Sequence, residues 1–215
     1  MRIASIQKLS LIDYPGKISS VIFTQGCNFR CGYCHNPRLV LPNRFENTIF
    51  KEDVIRFLKT RVGKIEGVVI TGGEPTIHTD LIFLIKEIRT LGFSIKLDTN
   101  GSNPKILKEI IDSKLVDFIA MDIKAPLSKY SLVCGVDVDL EKIKESIVYI
   151  KKTEIEKQFR ITVVKGMHST EDFSDIKELI QSNITVQNFY FSGDHIDGSL
   201  SKANEFNLKE LNEYI

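Results

Sequence analysis

Short apolar runs alternate with amphipathic segments along the whole chain. The run Ser20-Val-Ile-Phe-Thr24 is β-branched and aromatic and is too short for a helix, so it predicts a strand. Five further runs of this kind predict strands at 67–71, 93–97, 116–121, 159–164 and 184–191. Between them, apolar residues recur three or four positions apart, which is typical of helices that bury one face. These helices are predicted at about 52–62, at 81–91, after Pro104, at 140–150, at 170–181 and at about 207–214.

This alternation predicts an α/β protein of six β/α units, in which helices cover a parallel sheet. An open doubly wound sheet and a partial barrel both fit the pattern, because periodicity alone does not separate them. No linker or low-complexity tract divides the chain. We therefore predict a single domain at 1–215, with a motif-bearing core at about 14–192 and a C-terminal tail at about 193–215.

Composition narrows the function classes. The 215 residues carry a formal net charge of +1, so no nucleic-acid or membrane partner is expected on electrostatic grounds. The N-terminal residues lack the apolar region of a signal peptide, and no stretch of about 18 apolar residues predicts a membrane helix. Four cysteines without an export signal indicate a reducing compartment. We expect a cytoplasmic protein whose cysteines bind metal or act in catalysis.

Unusual polar residues collect where the predicted strands end. The cysteine loop follows the first strand and Thr71-Gly-Gly-Glu-Pro75 follows the second. The later strands carry, in turn, Asp98-Thr-Asn-Gly101, Asp122-Ile-Lys124, the pair Arg160 and Lys165, and Gly193-Asp-His195. Because loops at the carboxyl ends of parallel strands converge on one site, these segments are expected to meet in one mouth.

The most specific motif is Gln25-Gly-Cys-Asn-Phe-Arg-Cys-Gly-Tyr-Cys-His-Asn36, which spaces Cys27, Cys31 and Cys34 as Cys-x-x-x-Cys-x-x-Cys. Iron–sulfur clusters usually have four thiolate ligands. Three thiolates would leave one iron of a four-iron cluster free to bind a small molecule. The alternative is a zinc site made by these cysteines and His35. The adjacency of Cys34 and His35 disfavours it, since neighbouring side chains point in different directions.

The other motifs have both a structural and a functional interpretation. Gly72-Gly73-Glu74-Pro75 is either a strand-to-helix turn or a cradle for an ammonium group. Asp98 and Asp122 either cap helices or bind a cation or a ribose. Arg160 lies inside the apolar fifth strand and needs a partner, which is either a ligand carboxylate or a cross-barrel Asp or Glu.

The sequence assigns no chemical role to three residues. Cys134 has a spacing that matches no motif, so we expect a buried or incidental thiol. His78 and His168 are expected in loops near helix starts. No second cysteine cluster exists in the sequence, and a second iron–sulfur centre is not expected.

Together these motifs resemble a known family. Cys27-x-x-x-Cys31-x-Tyr33-Cys34 is similar to the signature of radical S-adenosylmethionine enzymes. The wider set resembles glycyl-radical-enzyme activating proteins, and above all the activating proteins of anaerobic ribonucleoside-triphosphate reductase. That set comprises Asp13-Tyr-Pro-Gly16, the cysteine run up to Pro37, Gly72-Gly-Glu-Pro75, Asp98-Thr-Asn-Gly101 and Asp122-Ile-Lys124. The resemblance covers about residues 1–167.

The resemblance implies a partial (β/α)6 barrel of the TIM type. It also implies one 4Fe-4S cluster on Cys27, Cys31 and Cys34, with S-adenosylmethionine chelated to the open iron and a monovalent cation beside the ligand carboxylate. The cofactor-binding residues that it implies are Tyr33, His35, Gly72, Gly73, Glu74, Asp98, Thr99, Asn100, Asp122, Lys124, Arg160 and His195. No side-chain acid or base is implied.

The implied activity is that of an oxidoreductase that cleaves S-adenosylmethionine reductively. The resulting 5′-deoxyadenosyl radical would abstract hydrogen from a glycine of a partner glycyl-radical enzyme. A low-potential donor such as flavodoxin or ferredoxin would supply the electron. Two alternatives stay open: a radical enzyme for a small molecule, similar to 7-carboxy-7-deazaguanine synthase, and a non-enzymatic zinc-binding scaffold.

Overall fold

The strands form one sheet in the computed structural model, which describes residues 1–214. Within those residues the strands are β1 (Ile3–Ser10), β2 (Ser19–Thr24), β3 (Gly67–Gly72), β4 (Ser94–Thr99), β5 (Phe118–Asp122), β6 (Glu156–Val163) and β7 (Ile184–Asn188). They neighbour one another in chain order. Strands β2 to β7 run parallel, whereas β1 pairs with β2 in the antiparallel sense.

Helices follow the parallel strands along the chain. They are α1 (Pro37–Val40), α2 (Lys51–Lys59), α3 (Leu81–Arg89), α4 (Pro104–Asp112), α5 (Tyr130–Cys134), α6 (Leu140–Lys152), α7 (Thr170–Ile180) and α8 (Leu208–Leu211). Helices α1 to α7 lie in the connections between the parallel strands, and α8 follows β7. A doubly wound sheet reverses its strand order at a switch point. Here spatial order follows chain order throughout the described residues, so the fold is a partial (β/α)6 barrel with edges at β1 and β7.

The two faces of the sheet are buried in different ways. On β3, Val68 and Ile70 are fully buried in the large core that the strands share with the helices. Val69 points to the other face, into the barrel, where it packs with Tyr14 and Phe118. Burial of each such aliphatic side chain contributes roughly 1.5–3 kcal/mol. The parallel strands therefore read as continuous apolar runs, because both of their faces are covered.

Tyr14 closes the barrel at the N-terminal ends of the strands. Its ring contacts that of Phe118 edge-on, with 6.0 Å between centroids. A Cβ at Gly67, the first residue of β3, would lie 2.7 Å from the Tyr14 ring. Only glycine fits there, because the Tyr14 ring fills the interior at this end. The interior is open at the C-terminal ends of the strands.

The structure corrects the element prediction at several places. Strand β1 was not predicted, because most of its residues are exposed or half-buried and show no apolar alternation. Strand β6 begins at Glu156, before the predicted 159. Strand β7 ends at Asn188, and the predicted residues up to 191 leave the sheet. The other predicted strands and helices are confirmed in position, with ends that differ by a few residues.

None of the helices within residues 1–214 is both long and apolar enough to cross a bilayer. The predicted domain bounds stay a prediction, and their last residue lies outside the described part of the chain.

Candidate active site

A cavity of about 470 Å³ opens at the C-terminal ends of the parallel strands. Every polar segment named in the sequence analysis contributes residues to its wall, except Gly193-Asp-His195. The predicted site residues that line it are Cys27, Cys31, Tyr33, Cys34, His35, Gly72, Gly73, Glu74, Asp98, Thr99, Asn100, Asp122, Lys124 and Arg160. The topology thus brings together side chains that are up to 133 positions apart between Cys27 and Arg160 (160 − 27).

The cysteine loop leaves β2 and is held by the chain's own backbone groups. Arg30 Nη1 donates to the carbonyl oxygens of Cys27 and Phe29, both at 2.7 Å. The amide of Cys34 donates to the carbonyl of Cys31 at 3.0 Å. Cys31 is buried and Cys27 and Cys34 are half-buried, and all three are free thiols. The loop is therefore folded with its thiols at the cavity wall.

The three thiols differ in acidity. Burial raises the pKa of Cys27 to about 12 and also raises the pKa of Cys34. A hydrogen bond with the thiol of Cys134 lowers the pKa of Cys31 to about 7, against the effect of its burial. Binding to metal displaces the thiol protons.

The Gly-Gly-Glu segment packs against the start of the cysteine loop. The amide of Gly73 donates to Thr24 O at 2.9 Å, and the amide of Glu74 donates to Gly26 O at 2.8 Å. A Cβ at Gly73 would lie 1.9 Å from the carbonyl oxygen of Gly26. Gly72 has φ of +113°, a region that favours glycine. These glycines are required for the two loops to meet.

Glu74 ties the Gly-Gly loop to the loop after β4. Its Oε1 accepts from the amide and hydroxyl of Thr76, at 3.0 and 2.5 Å, and from the Thr99 hydroxyl at 2.8 Å. Its Oε2 accepts from the amide of Asn100 at 2.6 Å. Burial raises the pKa of Glu74, although these donors oppose the shift. The carboxylate accepts from four donors of the chain itself, and its role toward an ammonium group stays a prediction.

A group of five charged side chains lies inside the barrel. Asp98 accepts from Lys96 Nζ at 2.6 Å and from Arg160 Nη1 at 3.3 Å. Asp122 accepts from Arg160 Nε at 2.8 Å and from Lys124 Nζ at 3.3 Å. Burial opposes ionisation of Asp122, but the two cations outweigh it and lower its pKa to about 2. Three cations thus share two carboxylates.

These contacts show which partners the charged residues have within the chain, and their roles toward a ligand stay predictions. Arg160 pairs with cross-barrel carboxylates, which raise its pKa above the ordinary value despite its burial. Asp98 and Asp122 are paired with side-chain cations, and the Thr99 hydroxyl is committed to Glu74. The monovalent cation implied by the resemblance stays a prediction.

His195 lies beside the cavity and is not on its wall. Its ring stacks on Phe191 with 5.3 Å between centroids and packs at 5.0 Å against Phe189, which does line the cavity. Both ring nitrogens are buried without a hydrogen-bond partner among residues 1–214. The assignment of His195 to the ligand stays a prediction, and its neighbour Phe189 lines the cavity.

The comparisons with known proteins agree with this geometry. Residues 21–181 match the family model described as the radical SAM superfamily. The chain belongs to the radical SAM superfamily.

This radical SAM protein is similar to three curated relatives and to one solved structure. A Methanocaldococcus jannaschii protein, named as a candidate glycyl-radical enzyme activating enzyme, is 35% identical over 184 residues, 83% of this chain and 75% of that protein. The pyruvate formate-lyase-activating enzyme of Clostridium pasteurianum is 33% identical over 127 residues, 57% of this chain and 52% of that protein. The GTP 3′,8-cyclase of Aliarcobacter butzleri is 33% identical over 178 residues, 79% of this chain and 53% of that protein.

The chain spans about half the length of the second and third of these relatives. The structure of native anSMEcpe with bound AdoMet has the same fold, with a TM-score of 0.67 at 19% identity, over 89% of this chain and 56% of that one. Membership in the superfamily implies a 4Fe-4S cluster and S-adenosylmethionine as cofactors.

The donor set of this radical SAM protein fits such a cluster. No group of three or more His, Cys, Asp or Glu side chains within residues 1–214 converges closely enough to hold one metal ion. A four-iron cluster does not need convergence, because each thiolate binds a different iron. Tyr33 lines the same cavity, and its buried hydroxyl has no hydrogen-bond partner among the described residues.

Two residues of the site were not found from the sequence. Lys96 lies in an apolar strand, and only its spacing of two from Asp98 indicates that both face the barrel interior. His168 is buried: its Nδ1 accepts from the amide of Val164 at 3.1 Å, so its Nε2 donates to the carbonyl of Lys124 at 2.8 Å. Its ring also contacts Tyr33 edge-on. No signal in the sequence marks this histidine, because its partners are backbone groups.

Proposed function

We propose that this radical SAM protein is an activase that generates a glycyl radical in a partner enzyme. The observation that carries the proposal is one cavity that joins three free cysteines, a Gly-Gly-Glu loop and a charged barrel interior. The similarity to the M. jannaschii protein, over 83% of this chain, supports the same class of activity.

We assign the 4Fe-4S cluster to Cys27, Cys31 and Cys34, which leaves one iron for the amino and carboxylate groups of S-adenosylmethionine. When bound and reduced, the cluster supplies one electron to the sulfonium, which gives methionine and a 5′-deoxyadenosyl radical. The tasks of the protein are to position the ligand and to exclude water, since the chemistry belongs to the cofactor.

The residues of the cavity have separate tasks in this proposal. Gly72 and Gly73 line the cavity and are assigned to the methionine amino group. With Lys96, the cations Lys124 and Arg160 outnumber the two carboxylates of the charged group by one, and this excess positive charge favours a ligand carboxylate. Tyr33 and His35, next to Cys34, are assigned to the adenine side of the ligand.

The proposed partner is anaerobic ribonucleoside-triphosphate reductase, with flavodoxin or ferredoxin as electron donor. Support for this partner comes from the set of motifs described above, which extends from Asp13 to Lys124. The second candidate function is that of a radical enzyme that acts on a small molecule. The 33% identity with the GTP 3′,8-cyclase over 79% of this chain favours it.

One experiment separates the two candidates. The protein is reconstituted anaerobically with iron and sulfide, reduced, and incubated with S-adenosylmethionine and purified anaerobic ribonucleotide reductase. The proposal expects a glycyl radical in the reductase by electron paramagnetic resonance, and equimolar 5′-deoxyadenosine. A reductase whose radical-site glycine is replaced by alanine is the control and gives no radical. Formation of 5′-deoxyadenosine with a nucleotide, without any radical in the reductase, would support the second candidate instead.

A further inference from the structure

Lys96 is a buried lysine on β4 whose ammonium group lies inside the barrel beside Asp98. The two residues are two positions apart, so their side chains lie on the same face of the strand. The Lys96 side chain is 3% exposed, and its Nζ lies 2.6 Å from Oδ1 of Asp98 and 5.8 Å from the centroid of the Phe118 ring. Asp98 lines the cavity, whereas Lys96 is not among the described residues that line it. The ammonium group therefore supports Asp98 from within the protein.

Every oxygen of the two barrel carboxylates faces a cation of the chain. On Asp98, Oδ1 accepts from Lys96 and Oδ2 accepts from Arg160 Nη1 at 3.3 Å. On Asp122, Oδ1 accepts from Arg160 Nε at 2.8 Å and Oδ2 accepts from Lys124 Nζ at 3.3 Å. Arg160 bridges the two carboxylates, and a lysine holds the outer oxygen of each. Four oxygen atoms are thus matched by four donor contacts from positive groups.

The hydroxyl of Thr99, next to Asp98 in the chain, is also engaged. It donates to Oε1 of Glu74 at 2.8 Å and accepts from the amide of Gly101 at 3.1 Å. Hard metal cations bind proteins through oxygen atoms, and carboxylates are their strongest side-chain ligands. At this place those oxygens already have partners in the chain, and the partner of Asp98 Oδ1 is itself a monovalent cation, the ammonium of Lys96.

The charge of the group also opposes a further cation. Three cations share two carboxylates here, so the group carries one positive charge in excess. Another cation beside Asp98 would lie close to the ammonium of Lys96, and repulsion between like charges is strong where water is excluded. The excess charge that attracts a ligand carboxylate is therefore supplied by side chains alone.

We propose that the ammonium group of Lys96 takes the place of a bound monovalent cation at Asp98, so that binding of S-adenosylmethionine does not depend on sodium or potassium. The inference deepens the proposed function and rests on it, because the ligand carboxylate is that of S-adenosylmethionine. It replaces the monovalent cation that the resemblance implies. Lys96 is a positioning residue: it contacts Asp98, and it acts on the ligand through Asp98 and Arg160.

The test measures the affinity for S-adenosylmethionine in two salts. The anaerobically reconstituted protein is dialysed to equilibrium in potassium chloride and in choline chloride of the same ionic strength, so general screening is the same in both. Lys96→Ala removes the ammonium group and leaves room for an ion beside Asp98. Lys59→Ala, at the exposed end of α2, is the matched control. Thermal unfolding of each protein without S-adenosylmethionine is recorded in both salts.

The proposal expects the wild-type protein and Lys59→Ala to have the same affinity and the same unfolding temperature in both salts. In choline chloride Lys96→Ala is expected to lose affinity at least about fivefold. Potassium is expected to restore most of that loss and to raise the unfolding temperature of Lys96→Ala alone, because the ion fills the place of the ammonium group. A residue with a merely structural role would not give this recovery.

The proposal is overturned if the wild-type protein loses affinity about fivefold or more in choline chloride, because a bound cation would then belong to the site. This comparison needs no variant, so it decides the matter even if Lys96→Ala does not fold. The proposal also fails if folded Lys96→Ala keeps the wild-type affinity in choline chloride, or if potassium does not restore its loss. A reconstituted wild-type protein that binds no S-adenosylmethionine in either salt would instead contradict the proposed function itself.

Discussion

Glu74 accepts hydrogen bonds from residues of two loops, and this makes it a structural residue of the site. Glu74→Gln places an amide N–H₂ where one carboxylate oxygen accepts, for example from the amide of Asn100. A donor then faces a donor in a buried position. We expect a loss of about 2 kcal/mol in the free energy of unfolding, measured by denaturant titration.

The matched control for this prediction is Glu52→Gln on the exposed face of α2, where we expect a change within about 0.5 kcal/mol. Equal stability of Glu74→Gln and Glu52→Gln would show that the four hydrogen bonds of Glu74 do not hold the two loops together.

The charged group inside the barrel makes a prediction about the order of two substitutions. Asp98→Asn leaves Lys96 and Arg160 facing a neutral amide in a buried position, for which we expect a loss of about 3 kcal/mol. Lys96→Met leaves two cations with two carboxylates, and we expect a loss of about 1 kcal/mol. Thermal or denaturant unfolding of both proteins measures the order. A larger cost for Lys96→Met would contradict the excess of one positive charge.

At the residue scale the sequence predicts the members of the site better than their contacts. The cysteine spacing marks Cys27, Cys31 and Cys34, because such a spacing is rare and specific. It does not reveal that the carbonyl oxygen of Cys134 accepts from the amide of Arg30, since a contact made by a distant helix leaves no local pattern. It also does not show that Glu74 is occupied by Thr76, a partner that depends on how two loops pack.

At the scale of elements, the junction between the loops after β2 and β3 is the part of the site that tolerates substitution least. Gly73→Ala places a Cβ 1.9 Å from the carbonyl oxygen of Gly26, and a backbone atom cannot move aside as a flexible side chain can. We expect the loops to separate, with at least a tenfold loss in affinity for S-adenosylmethionine and reduced thermal stability. Equilibrium dialysis of the reconstituted protein measures the affinity.

Gly198→Ala is the control, because a Cβ at Gly198 meets no atom within 4 Å. We expect its affinity and stability to match those of the wild-type protein. If Gly73→Ala also behaved like wild type, close packing of the two loops would not be needed for the site.

The elements that sequence reasoning finds are those with two buried faces. Strands β2 to β5 are buried along most of their length, and their apolar residues form short runs that have few other interpretations. Strand β1 is not predicted from the sequence, because it lies at an edge and buries only its first and last residues, Ile3 and Ser10. Its place is set by pairing with β2, which is a tertiary interaction.

At the scale of the whole molecule, sequence periodicity could not separate a barrel from a doubly wound sheet. Both alternate strands and helices, and they differ only in which strands become neighbours. The distribution of polar residues at strand ends was the better guide, since either topology brings them to one edge. In the structure that edge is the cavity mouth, from Cys27 on the loop after β2 to Tyr190 after β7.

The central claim is that Cys27, Cys31 and Cys34 hold a cluster that cleaves S-adenosylmethionine in this cavity. The most direct measurement is 5′-deoxyadenosine formed by the anaerobically reconstituted, reduced protein alone. We predict product with the wild-type protein, and none above background when Cys27, Cys31 or Cys34 is replaced by alanine. The account would be contradicted if Cys31→Ala cleaved S-adenosylmethionine as well as the wild-type protein does. It would also be contradicted if a wild-type protein that holds four irons gave no cleavage.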